Sequence, residues 1–107
     1  MKTLNAYQQA AERTADGDAT RRQLYGALGV AGEAGEVADL IKKQHFHGHD
    51  ADPMAVAREL GDVLWYVSVL AGAYGFTLEE VAAINIEKLR ARYPDGFDEE
   101  RSRSRDA

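Results

Sequence analysis

The stretch that constrains the fold most is residues 53–73, where Val56, Leu60, Val63, Leu64, Val67, Leu70 and Ala71 recur with the period of one helical face. A stripe this apolar has to be covered by other elements, so it predicts a central helix from Pro53 to about Ala73. Asp52 and Pro53 supply its start, a carboxylate for the first free N–H groups and a ring already fixed at helical φ. Gly75 closes it, and Thr77-Leu78-Glu79-Glu80 opens the next helix with the pattern of a capping box.

Two further helices precede these. Leu4, Tyr7 and Ala11 give a short helical period that Asp16-Gly17-Asp18 breaks. Asp18 or Thr20 then caps a long segment in which Leu24, Leu28, Val37, Leu40 and Ile41 fall near one stripe, ending at about Phe46. Gly26, Gly29, Gly32 and Gly35 stand in it at every third position, each costing up to ~1 kcal/mol against Ala. Close approach of another backbone or of a ligand would repay that cost; the row predicts either a kink near Gly29 to Gly32 or a loop that splits the segment.

The expected fold is therefore all-α, an antiparallel bundle of about four helices forming one domain over residues 1–94. Residues 95–107 are polar and without periodicity, and are expected to be a mobile tail. A chain of 107 residues buries only a modest core, so homo-oligomerisation is expected to complete the bundle. Mean hydropathy is −0.45 and no apolar run approaches a membrane span, which argues against a membrane partner. There is no cysteine, and the N-terminus lacks the apolar core of a secretory signal, so the cytoplasm is the expected location. A net charge of −5 argues against binding a nucleic-acid polymer, which relies on a basic surface.

The chemistry lies in two acidic pairs. Glu33 and Glu36 share a helix face at a spacing of three, with Asp39 continuing the row, and Glu59 and Asp62 repeat the spacing beside the stripe of the central helix. Like charges so placed repel, more strongly where partly desolvated, and a divalent cation would compensate both pairs. Carboxylates suit a hard, oxygen-preferring ion such as Mg²⁺, with Mn²⁺ as a substitute, and neither pair has the histidine three residues on that a di-iron bundle wants. His45, His47 and His49 sit at a helix end running into a turn and read as a connector. Tyr66, four residues after Asp62, is the aromatic expected to face a ligand, whereas Trp65 reads as packing. On the fourth helix Asn85, Lys88 and Arg92 follow at i, i+3 and i+7, a row that would meet phosphate oxygens if it faced the acids. The P-loop pattern is lacking.

These residues, Glu33-x-x-Glu36, Glu59-x-x-Asp62 and Asn85-x-x-Lys88-Leu89-x-x-Arg92-Tyr93-Pro94, resemble the MazG-like nucleotide pyrophosphohydrolases of the all-α NTP pyrophosphatase superfamily, over about Leu28 to Pro94. The resemblance implies Mg²⁺-dependent hydrolysis of a nucleoside triphosphate between its α and β phosphates, to a monophosphate and pyrophosphate, in nucleotide-pool housekeeping. It implies that Glu33, Glu36, Glu59 and Asp62 hold metal and activate water, and that Asn85, Lys88, Tyr66 and Arg92 contact the substrate. It also implies a homodimer or homotetramer whose site draws on both chains. Some relatives carry a further carboxylate where this chain has Gly32, which leaves the number of ions and the general base open. From the residues alone, a helical module that binds metal or nucleotide without turnover stays an alternative.

Overall fold

The computed structural model describes residues 2–50, 52–97 and 99–104; the end of the polar tail, 105–107, lies outside them. All of its regular elements are helices: α1 (Leu4–Glu12), α2 (Ala19–Phe46), α3 (Pro53–Ala73), α4 (Leu78–Arg92) and α5 (Glu99–Ser104). Each of the first four begins on a side chain that accepts from a free N–H. Thr3 takes Ala6 N, Asp18 takes Arg21 N, Asp52 takes Met54 N, and Thr77 with Glu80 forms the expected capping box. The tail read as lacking periodicity contains α5, whose ends are joined by a Glu99–Arg103 ion pair at 3.7 Å.

No loop splits α2. Its 28 residues run about 42 Å at 1.5 Å per residue, close to the 44 Å longest extent of the molecule. α3 packs back along it in antiparallel register: Gln23 lies at Ala73, Gly26 against Leu70, Gly29 against Tyr66, and Glu33 at Asp62. The first two glycines of the row permit this approach. A Cβ at Gly26 would stand 3.1 Å from Leu70 Cβ, and one at Gly29 only 2.1 Å from the Tyr66 ring, while Gly32 and Gly35 face open space.

α1 lies across α3 and α4, held by polar contacts beside the buried Ala11, Val69 and Leu78. Buried Gln8 donates from Nε2 to the carbonyls of Ser68 and Phe76, and its Oε1 accepts from Leu78 N. Asn5 and Glu79 exchange two hydrogen bonds nearby. The linker into α2 is gathered by Arg22, which pairs with Glu12 and donates to the carbonyls of Ala15 and Gly17.

Two features depart from a closed bundle. α4 leaves α3 through a bend of 97° at Tyr74–Thr77 rather than returning alongside it. The buried apolar side chains among the described residues are Ala11, Val69 and Leu78, while Leu24, Leu28, Phe46, Leu60 and Phe97 are each more than half exposed. Among the described residues no single helix is long and apolar enough to cross a membrane.

Candidate metal and nucleotide site

The antiparallel register of α2 and α3 brings the two acidic pairs to the same level. Carboxylate oxygens of Glu33, Glu59 and Asp62 all lie within 4.8 Å of one another, Glu33 and Glu59 half-buried and Asp62 exposed. Glu36 is exposed and its carboxylate stands outside this group, although its charge reaches Glu33. Desolvation, then the charges of Asp62, Glu59 and Glu36, hold the Glu33 carboxyl above its ordinary value. Asp39 does not continue the row. It is tied to Lys43 at 2.9 Å and Lys42 at 3.4 Å on its own helix, and the hydrogen bond from Lys43 first, then its charge and Lys42, keep its carboxyl low.

The donor set fits a hard divalent cation. It is all oxygen, it converges from two helices, and it is electrostatically unsatisfied, as the raised Glu33 carboxyl shows. Beside the acids a cavity of about 340 Å³ is lined by Glu33, Asp62, Trp65 and Tyr66. Tyr66, expected to face a ligand, lines this cavity with its ring seated over Gly29. Trp65, expected only to pack, also lines the cavity.

Asn85, Lys88 and Arg92 are not brought to this cavity within one chain. Asn85 and Lys88 line a separate cavity of about 450 Å³ with Leu4, Leu64, Leu78 and Ile84. Arg92 lies over the Tyr93 ring, 6.0 Å from its centroid, at the end of α4. The 97° bend is the reason, because it carries the row on α4 away from the groove between α2 and α3.

Tyr7 of α1 is another residue near the acids: its phenol is held above the ordinary value by burial first and by the Asp62 carboxylate second.

Residues 23–97 match the family model described as the MazG nucleotide pyrophosphohydrolase domain. The chain is also similar to the Gene 37 protein of Mycobacterium phage L5, 35% identical over 106 residues that cover 87% of this chain and 90% of that protein. No solved structure matches.

Proposed function

The chain belongs to the MazG nucleotide pyrophosphohydrolase domain family, and from that premise we propose that it hydrolyses nucleoside triphosphates at the α–β anhydride bond. The products are a nucleoside monophosphate and pyrophosphate, and the role is housekeeping of a cytoplasmic nucleotide pool. The observation that carries this reading is the meeting of Glu33, Glu59 and Asp62 oxygens within 4.8 Å beside a cavity large enough for part of a nucleotide.

The cation they would hold is Mg²⁺, with Mn²⁺ as a substitute; when bound, it neutralises phosphate oxygens and lowers the pKa of water. Glu33, Glu59 and Asp62 would hold it, and through it the triphosphate, against α2 and α3. A water molecule adds across the α–β bond, the bridging P–O bond breaks, and pyrophosphate leaves with the electron pair. Glu33, Glu36, Glu59 and Asp62 jointly activate that water and take up the proton it releases.

The phosphates also need cations from the protein, and one chain keeps Lys88 and Asn85 away from the acids. A second copy of the chain, in a homodimer or homotetramer, would bring its α4 over the groove. The exposed Leu24, Leu28 and Leu60 side chains support such a partner.

The test is turnover of Glu59→Gln and Asp62→Asn. Both are expected to lose at least about a hundredfold in kcat/KM and to lose Mg²⁺ binding by calorimetry, with helicity by circular dichroism unchanged. Undiminished turnover in both variants would overturn the site.

A further inference from the structure

The cavity beside the acids has an aromatic wall that holding metal and phosphate does not use. Trp65 and Tyr66 complete its lining. Their rings meet edge to face, at 5.0 Å and 88°, and Tyr25 stacks on Trp65 at 6.4 Å and 19°. Each ring is fixed by a contact elsewhere. Trp65 Nε1 donates to Thr14 Oγ1 at 2.7 Å, which ties the polar edge of the indole to the α1–α2 linker, and Tyr66 lies in the space that Gly29 leaves. Neither ring has to be ordered when a ligand arrives, so a contact with it costs little conformational entropy.

Trp65 stands one helical turn beyond Asp62, roughly 5.4 Å along α3. A nucleotide whose phosphates meet the carboxylates has its sugar and base extending from the α-phosphate, and Trp65 and Tyr66 are the π surface this cavity offers to a base. The indole also has the broadest ring face of any side chain, and aromatic faces accept every base. Resting on the nucleotide reading above, we propose that Trp65 is the surface against which the substrate's nucleobase packs, with Tyr66 bracing it. Because stacking is tolerant of base identity, Trp65 distinguishes a nucleotide from bare polyphosphate and does not choose among bases.

The experiment measures, in Mg²⁺, the binding of a non-hydrolysable α,β-methylene dNTP and of inorganic tripolyphosphate, which has no base. Trp65→Leu is expected to weaken the analogue about tenfold or more, alike for purine and pyrimidine, with tripolyphosphate unchanged. Trp65→Phe, which keeps a ring, should stay within about threefold of the parent. Thr14→Val removes the tether and keeps the indole, and should weaken the analogue only by the small cost of ordering the ring, well short of the loss in Trp65→Leu. The proposal falls if Trp65→Leu binds the analogue like the parent, if both ligands weaken together, or if Thr14→Val loses as much, since the indole would then be only a strut. Should Trp65→Leu fail to fold, the parent decides: Trp65 is the sole tryptophan, and the analogue, not tripolyphosphate, must shield it from acrylamide quenching. A parent that binds tripolyphosphate as tightly as the analogue overturns this inference alone, whereas a parent that binds neither overturns the nucleotide reading itself.

Discussion

At Glu33, desolvation and the neighbouring Asp62, Glu59 and Glu36 charges all favour the protonated carboxyl. In the unfolded chain this group titrates at its ordinary value, so the cation-free fold carries a penalty above the raised pKa. That penalty disappears as pH falls through the raised value to the ordinary one. Glu33→Gln should therefore raise the Tm of the cation-free protein at neutral pH, with the gain vanishing in acid, and should abolish the further rise that Mg²⁺ gives the parent. Thermal melts at two pH values, with and without Mg²⁺, check this; a variant less stable than the parent without cation would contradict it. Gln8 is the opposite kind of residue, a neutral amide that satisfies three backbone groups. Gln8→Leu leaves the Leu78 N–H unpaired in a buried position and should cost about 1–3 kcal/mol in urea unfolding. A loss well below that range would show that water replaces the amide. The setting of Gln8 and the capture of Asp39 by its own helix were partly legible. Gln8 falls four residues after Leu4 and three before Ala11, on the apolar side of α1, and Lys42 and Lys43 stand at the spacings that capture Asp39. The spacing rule that joined Asp39 to the acidic row also joins it to those lysines, and charge of opposite sign wins.

Among the elements, α3 and α4 were readable from the sequence because local chemistry dictates their ends: Asp52-Pro53 at one start and the Thr77–Glu80 box at the other. The glycine row of α2 was readable only as a need for close approach, since its two halves serve different ends. Gly26 and Gly29 admit Leu70 and Tyr66, whereas a Cβ at Gly32 or Gly35 would meet nothing within 4 Å among the described residues. Gly29→Ala should accordingly disturb the site more than the helix. Its methyl group would stand 2.1 Å from the Tyr66 ring, so α3 has to move or the ring has to leave the cavity. An overpacking cost of about 1–3 kcal/mol is expected, with a higher KM for nucleotide. Unchanged KM and unchanged stability together would mean that the ring is not held there. The direction of α4 was not legible, because the contacts that span the 97° bend come from far along the chain, Gln8 of α1 bonding the Phe76 carbonyl and the Leu78 N–H, and not from the helix-stopping chemistry of residues 74–77. For that reason the Asn85, Lys88 and Arg92 row was readable as a face, yet not as a face turned away from its own chain's acids.

The whole molecule has more surface than a lone chain of its size should have. Its accessible area is 7926 Å², against about 5900 Å² for a compact monomer of 11.8 kDa. Its radius of gyration of 16.6 Å likewise exceeds the roughly 13 Å of a compact domain of this length. An excess near 2000 Å² is more than the ~800 Å² that each partner contributes to a standard interface. Sedimentation equilibrium should thus give at least twice the chain mass. Leu28 is 74% exposed, so Leu28→Glu costs a lone chain little, while a charge buried between copies would shift the protein toward monomer. A parent that sediments as a monomer would remove the partner from the account. The central claim is the bond that is cut, and ³¹P NMR of a dNTP incubated with the protein, with and without Mg²⁺, tests it most directly. The account predicts resonances of nucleoside monophosphate and pyrophosphate growing together only when Mg²⁺ is present. Nucleoside diphosphate with inorganic phosphate, or an unchanged triphosphate, would contradict it.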